Sequence, residues 1–473
     1  MFVLIPGFWV PSLWTDEAAT ASAVGRGWRE LSAMLGNIDV VHGVYYVLTK
    51  LVTDAFGISE FTLRILSLLA AAATVFVTVL TGRRLAGTSA GVLGGIVLVF
   101  LPRFEFAATD GRSYSLNMLA SVLMVYCAVR LRASGSWKAA GGVAAASLFA
   151  TGLSFYSVMM PLVLLTMLFV DEALRDQWKK LTIALVPALL AALGLALAAS
   201  NQKFQVSWIP GIDGYTFLDV FFLQWFGDGV VWPRVPLTTP VIWQEAVATP
   251  ALCLLGVAAT VLACVLGDRR LTRFYLFWIF IPTFLAVAAS LVMGASYYLP
   301  RYLSFTVPGV ALLMGYGILV TARAAGPRRR VASLLLAAVT AFGTLYVTSQ
   351  RTEFERASSD DFRFVSDVMG HHAKAGESFV ASMGDDLFLA AYPAAFEGLH
   401  DLTLDETAAH RGLIFNQRIG IVHRVKLLQQ QRVVWSIHKT AKPEQDTFLK
   451  AHGFVEAQSW RGPVHSVVKF IRR

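Results

Sequence analysis

Several stretches of this chain run almost without charge for close to the length that a bilayer demands: residues 62–80, 183–199, 252–266 and 331–347. A helix needs about 20 mainly apolar residues to cross the hydrocarbon core. Where water cannot reach the backbone, each peptide N–H and C=O has to be satisfied inside the fold, which only helices and closed barrels achieve. The alternating pattern of a membrane barrel is absent, so the blocks are expected to be helices. Composition agrees. Of 473 residues, 56% are hydrophobic and 15% are charged, against roughly a quarter charged in a soluble globular chain. That charge is too thin to cover a water-facing surface.

The net charge is +9, from 40 Lys and Arg against 31 Asp and Glu. In a chain of this kind the excess belongs in short cytoplasmic loops, where cations fix topology and meet anionic lipid. No basic stripe with interleaved aromatics runs along the sequence, so membrane lipid is expected as a partner and nucleic acid is not. Cys127, Cys253 and Cys264 all fall inside apolar blocks, which predicts neither a disulfide framework nor a thiolate metal site. The start, residues 1–13, is apolar without a basic leader or a small-residue cleavage site. It reads as part of a first span, short for one, whose cytoplasmic residues precede the assigned start.

Apolar blocks and their punctuation predict about eleven spans in an α-helical polytopic membrane protein. Two kinds of loop alternate between them. One kind is short and basic: Arg83-Arg84 and residues 130–138, 175–180, 268–273 and 323–330. The other is richer in Pro, Trp, Tyr and acids: residues 15–60, 102–112, 201–245 and 296–301. With the basic set in the cytoplasm, the other set lies outside without contradiction. After Ser349 the composition turns to that of soluble protein. Residues 1–349 are therefore expected as a membrane domain and 350–473 as a small extracytoplasmic α/β domain. Within the latter, residues 378–383, 433–437 and 464–471 read as strands, and 362–373 and 444–452 as helices. No fixed-period internal repeat is present.

The residues able to carry chemistry gather in the second kind of loop. Trp14-Thr15-Asp16-Glu17 sets a carboxylate pair directly after the first apolar segment. These acids serve equally well as favourable charges at the N-terminus of a helix predicted over residues 18–35, or as a general base for an acceptor hydroxyl. Asp39, His42, Tyr45 and Tyr46 form a polar, aromatic patch in the same loop. Interfacial tyrosines and a surface histidine are the ordinary reading of such a patch, and stacking on a sugar is the functional one. In the next external loop, Asp110 and Arg112 stand where the chain re-enters the membrane, and a charge is expensive there. A mutual salt bridge explains them without function. The functional reading gives Asp110 a divalent cation, Mg or Mn, and Arg112 a phosphate. Arg301, in Tyr297-Tyr298-Leu299-Pro300-Arg301-Tyr302, repeats the pattern at the mouth of a late span. Two arginines and three acids on one face fit an anionic ligand, and a lipid-linked phosphate sugar has that character. Trp208, Trp225, Trp232 and Trp243, with Tyr215, read as interfacial anchors and part of a lid.

Taken in order, these motifs resemble the GT-C class of glycosyltransferases. The elements of the match are Trp-X-Asp-Glu-Ala-Ala-Thr-Ala at residues 14–21, the Tyr45-Tyr46 pair, Phe-Gly-X-Ser-Glu-Phe-X-X-Arg at 56–64, the acid-X-Arg-X-Tyr-X-Leu at 110–116, and Arg301-Tyr302-Leu303. The branch resembled is that of bacterial polyprenyl-phosphate-sugar transferases related to protein mannosyltransferases and to lipid A aminoarabinose transferases. The resemblance spans nearly all of the membrane region. It implies an inverting transfer with no covalent enzyme intermediate, on the extracytoplasmic side of the bacterial plasma membrane, to a glycan, lipid or protein acceptor. By position it makes Asp16 the catalytic base with Glu17 beside it, and it associates Asp110 with metal or donor phosphate. Arg112, Tyr114, Arg301 and Tyr302 would lie near the donor. Two departures stand out. His42-Gly43-Val44 replaces the Pro-Pro-Leu of many relatives, and Asp110-Gly111-Arg112 replaces their Glu-Ala-Arg. A transporter or flippase is the main rival, but it would carry its polar groups near the bilayer midplane on broken, repeated helices. Here the acids keep to loops. A non-catalytic scaffold leaves the acids and arginines unexplained.

Overall fold

A computed structural model describes residues 3–200, 202, 208–227, 243–324, 326–353, 360–382, 386–440 and 444–473. Among the described residues, seven helices are long and apolar enough to cross a membrane: Glu60–Ala86, Tyr114–Ser134, Trp178–Ala199, Trp243–Leu266, Arg269–Met293, Pro300–Arg323 and Arg328–Ser349. The helices Thr88–Val99 and Pro102–Ala108 meet at a bend of 70° and make an eighth if taken as one span. The chain is thus the α-helical polytopic protein expected, with fewer full-length helices than eleven. The shortfall falls on Trp137–Leu153 and Phe155–Met167, which are apolar but short, and on the start of the chain. Residues 3–14 form turns and extended backbone, because Pro6 and Pro11 deny the backbone donors a helix needs and Gly7 sits at a φ of 74°.

Contacts divide the chain into two compact units. One comprises Met1–Phe8, Asp39–Tyr45 and Arg64–Arg351, and the other Trp9–Ile38, Tyr46–Leu63 and Thr352–Arg473. The break expected after Ser349 lies beside the last boundary, while most of the first external loop groups with the C-terminal residues.

In the membrane unit the helices approach one another through glycine. A Cβ on Gly91 would collide with the carbonyl of Val79, and one on Gly317 with the carbonyl of Ala259. Only a residue without a side chain allows that backbone contact, the usual means by which membrane helices pack where lipid offers no hydrophobic drive. The basic helix ends meet at one end of this unit. They line a cavity of about 410 Å³ with Leu85, Arg132, Glu172, Asp268, Arg270 and Arg323 on its walls. Ion pairs Arg132–Asp171 (2.9 Å) and Arg270–Glu172 (3.7 Å) join the walls to the intervening loop. The helices Tyr114–Ser134 and Pro300–Arg323 both end in this cavity, so their first turns, which carry Tyr114 and Arg301, lie at the other end.

The second unit contains the sheet. Its strands are β1 (Ser378–Ala381), β2 (His400–Asp401), β3 (Leu404–Glu406), β4 (Gln417–Arg418), β5 (Val433–Lys439), β6 (Phe454–Arg461) and β7 (His465–Arg472). Five of them form one sheet in the order β2-β1-β5-β7-β6, and β3 pairs with β4 separately. β1 runs parallel to β2 and β5, whereas β7 is antiparallel to β5 and β6. β5 lies at the centre and is buried without alternation from Val434 to His438, as a strand covered on both faces should be. Val380, Val434, Leu449, Phe454, Val468 and Phe470 build the core beside it. The helices Phe362–His372 and Glu444–Ala451 agree closely with the sequence expectation. So do β5 and β7, and β1 covers the described start of 378–383; residue 383 lies outside the described residues. Cys127, Cys253 and Cys264 are not joined in disulfides.

Candidate functional site

The carboxylate pair sits in the first turn of a helix, Thr15–Val24. The single helix predicted over residues 18–35 is in fact two. A second, Trp28–Asn37, starts after Gly25-Arg26-Gly27, where two glycines within three residues weaken helix continuation. Glu17 is fully buried and Asp16 half-buried. Both acids occupy the turn where the helix dipole favours negative charge, which is the ordinary reading of the pair.

This helix begins without a local cap. Trp14 occupies the N-cap position and its side chain makes no capping hydrogen bond. The acceptor comes from far along the sequence: Asp360 Oδ2 accepts from the Thr15 N–H (2.7 Å) and from the Thr15 hydroxyl (2.6 Å). Desolvation pushes the Asp360 carboxyl above the usual carboxylate range, against the two hydrogen bonds from Thr15 that favour its charged form. The residues before the helix are held in the same way. The Arg363 guanidinium donates to the carbonyl of Val10 (2.6 Å) and to Glu60 Oε1 (2.6 Å). The Tyr392 hydroxyl donates to the same Glu60 oxygen (2.7 Å) and accepts from the Leu13 N–H (3.0 Å). Burial and the neighbouring Glu60 carboxylate push the Tyr392 phenol up, so it remains a donor. Asp360, Arg363 and Tyr392 escaped the sequence reading. The one available signal was indirect, a tryptophan where a capping residue belongs.

In the remainder of the first loop, Asp39 adopts a left-handed conformation with φ 59°, and it is the only non-glycine residue at positive φ among the described residues. A short 3-10 turn, Val40–His42, follows, with the Val40 N–H bound to Gln202 Oε1 at 3.2 Å. Tyr45 and Tyr46 are both fully buried, which gives them a packing role and argues against an interfacial belt. His42, half-buried, keeps open surface.

The other sequence-predicted residues belong to the membrane unit. Asp110 (0% exposed) and Arg112 lie in the irregular residues 109–113 between two helices. This stretch is tied to the Glu60–Ala86 helix through Ser67. The Ser67 hydroxyl donates to the carbonyl of Arg112 (3.1 Å), and the Ser115 hydroxyl to the carbonyl of Ser67 (2.8 Å). Arg301 (7% exposed) opens the 3-10 helix Pro300–Thr306, which packs against the Tyr114–Ser134 helix. Its guanidinium stands over the rings of Trp208 (5.2 Å) and Tyr302 (5.9 Å). The Tyr302 ring lies 6.5 Å from Tyr114 and 5.0 Å from Tyr156, and the Tyr156 hydroxyl donates to the carbonyl of Tyr297 at 2.8 Å. The structure therefore gathers Arg301, Tyr302 and Tyr114 around a cation–aromatic cluster. Trp208, expected as an anchor, joins it. Tyr156 was not foreseen, because it stands inside an unpunctuated apolar run. Trp232 lies outside the described residues. No group of three or more His, Cys, Asp or Glu side chains able to hold a metal ion occurs among the described residues. A cation at Asp110 would take the rest of its oxygen ligands from substrate and water, a common arrangement for Mg²⁺.

The chain is similar over 99% of its length to the crystal structure of ArnT from Cupriavidus metallidurans bound to undecaprenyl phosphate, covering 95% of that chain at 14% identity and a TM-score of 0.58. The fold is that of the GT-C glycosyltransferases. The GT-C likeness extends to the archaeal oligosaccharyltransferase AglB from Archaeoglobus fulgidus in complex with an inhibitory peptide and a dolichol-phosphate. There it covers 94% of this chain and 67% of that one at 11% identity, with a TM-score of 0.53. A family model for dolichyl-phosphate-mannose-protein mannosyltransferase matches residues 43–200, a stretch that contains Asp110, Arg112 and Tyr114. No curated protein sequence matches the chain.

Proposed function

We propose that this GT-C protein is an inverting glycosyltransferase. It moves a sugar, mannose or another pentose or hexose, from a polyprenyl-phosphate donor to a hydroxyl of a cell-envelope glycan, lipid or protein. The reaction takes place on the extracytoplasmic face of the bacterial plasma membrane. The observation that carries this reading is Arg301, a guanidinium enclosed by aromatic rings at the start of a membrane helix, in a fold shared with a protein bound to undecaprenyl phosphate. A guanidinium at the edge of a membrane helix suits a lipid-linked phosphate, because its planar fork of donors matches two phosphate oxygens.

The chemistry follows from these groups. Arg301 and Arg112 hold the donor phosphate, and Arg suits this because its fork of donors matches two phosphate oxygens. The acceptor hydroxyl oxygen attacks the anomeric carbon from the face opposite the phosphate. Its proton passes to the Asp16 carboxylate, and the bond between the anomeric carbon and the phosphate oxygen breaks. Polyprenyl phosphate leaves with the electron pair and is stabilised by the guanidinium charges as they meet growing negative charge. Asp110 is the residue to hold a divalent cation beside that phosphate, and no step depends on one. The test is mass spectrometry of lipids and envelope glycans from a deletion strain. Loss of one sugar from an envelope component, with its donor accumulating, is the expected result; an unchanged envelope would overturn the reading.

A further inference from the structure

We infer that Asp360 and Arg363 are positioning residues for the Asp16-Glu17 pair, so that the C-terminal α/β residues form part of the catalytic apparatus. The inference rests on the reading of Asp16 as the base.

All the groups concerned belong to one compact unit. Residues 9–14, just before the pair, have no helix or strand of their own to fix them. Their polar backbone is instead taken up by C-terminal groups. Arg363 Nη1 binds the Val10 carbonyl, and Arg363 Nη2 reaches those of Trp9 (3.5 Å) and Pro11 (3.4 Å). The backbone N–H of Arg363 donates to the Ser12 hydroxyl (3.1 Å), the Ser12 N–H to the carbonyl of Glu353 (2.6 Å), and the Leu13 N–H to the Tyr392 hydroxyl. Asp360 then closes the series at Thr15. In this way C-terminal groups meet residues 9–13 and Thr15 in turn, while the carbonyl of Trp14 accepts from the Ala18 N–H (2.8 Å) inside the helix.

Asp360 is itself fixed by its neighbour. The buried Asp361 carboxylate accepts from the N–H groups of Val464 and His465 (both 3.0 Å) and from His465 Nδ1 (2.5 Å). The corner at residues 360–361 is thereby anchored to the first residue of β7. A continuous path of hydrogen bonds and chain runs from the sheet through Asp361 and Asp360 to Thr15, the residue before Asp16. A helix whose first turn carries a general base needs its first N–H groups satisfied, or that turn frays. Here a remote carboxylate performs the task that Trp14 cannot. General-base catalysis requires the carboxylate within hydrogen-bond reach of the acceptor proton, so loosening the cap displaces the base.

Two measurements on full-length protein test this. In the deletion strain, complemented at matched membrane levels, the rate at which the missing envelope sugar returns reports turnover with the native donor and acceptor. Hydrogen exchange on the purified protein reports the N–H groups of residues 15–18 and of β5 and β7. Asp360→Ala is expected to lower the rate about tenfold to a hundredfold, the scale of loss when a reacting group is misplaced. It also speeds exchange at 15–18 while β5 and β7 stay protected. Asp360→Asn, which keeps an acceptor oxygen, recovers most of the rate. The inference is overturned if Asp360→Ala works at the wild-type rate. It is also overturned if the rate falls without faster exchange at 15–18, or if β7 protection is lost and Asn is no better than Ala. Asp16→Asn in the same strain separates the two ideas. If that variant restores the sugar, the role of Asp16 fails. If it is inactive while Asp360→Ala is fully active, only the positioning inference fails.

Discussion

Arg301 gives the sharpest test at the scale of single residues. Replacing it with Ala removes both charge and fork, and is expected to raise the donor KM about tenfold or more, with Lys restoring only part because an ammonium cannot make the paired contact. Steady-state kinetics with varied donor reads this directly. Glu105 is a residue of another kind. It is 1% exposed and paired with Arg351 Nη1 at 2.5 Å, and Arg351 also donates to the carbonyls of Leu4 (3.3 Å) and Pro6 (3.0 Å). Removing one member of such a buried pair costs about 3–5 kcal/mol. Glu105→Ala should therefore lower the thermal midpoint in detergent clearly, and an unchanged midpoint would remove the pair from the stability account. At this scale the sequence was readable where chemistry clusters locally. Asp16-Glu17, Asp110-X-Arg112 and Arg301-Tyr302 each announce themselves within three residues. Asp360 did not, because its partner is 345 residues away in the chain, and pairing over that distance is a product of the fold and not of any local pattern.

At the scale of elements, hydropathy located the long helices well, because a span is defined by its own composition. It overcounted spans at Trp137–Leu153 and Phe155–Met167, which are apolar but short, and at the start of the chain. The bend between Thr88–Val99 and Pro102–Ala108 and the interruption at Gly25 and Gly27 both follow from Pro or Gly, residues that tolerate several outcomes. The glycine contacts yield a prediction: Gly317→Leu forces two backbones apart and should lower both yield and thermal stability far more than Gly141→Leu, which meets open space. Similar losses for the two would contradict the close-approach argument. In the sheet, His438 bonds the carbonyl of Lys439 (2.8 Å) and Asp446 Oδ2 (3.1 Å). Burial pulls its imidazole pKa down, but hydrogen bonding to Asp446 and Lys439 and the Asp446 charge outweigh it, leaving the group above its ordinary 6.5. The folded state therefore favours the charged ring. Its contribution is fully present below pH 6.5 and is lost as pH rises through the folded value. Protection of β5 amides, corrected for intrinsic exchange, should weaken across that rise, and His438→Gln should flatten the dependence.

For the whole molecule, the alternation of basic loops with acidic and aromatic ones carries an expectation of sidedness, with the basic set in the cytoplasm. The cavity bordered by Arg132, Arg270 and Arg323 gathers basic helix ends at one end of the membrane unit. In a background with its own cysteines replaced, Ala295→Cys should react with a membrane-impermeant maleimide in intact cells. Arg323→Cys, at the other end of the Pro300–Arg323 helix, should react only after permeabilisation. The reverse pattern would invert the topology and with it the compartment of the chemistry. What composition could not reveal was that the stretch before Asp16 shares a unit with the last hundred or so residues, since that depends on backbone groups every sequence possesses. The decisive measurement concerns Asp16 itself: sugar transfer from the polyprenyl-phosphate donor by wild type and by Asp16→Asn, with donor binding and the anomeric configuration of the product determined alongside. The expected result is an inverted product from wild type, and an Asp16→Asn protein that binds donor but does not turn over. Transfer by Asp16→Asn at the wild-type rate, or a product of retained configuration, would contradict it.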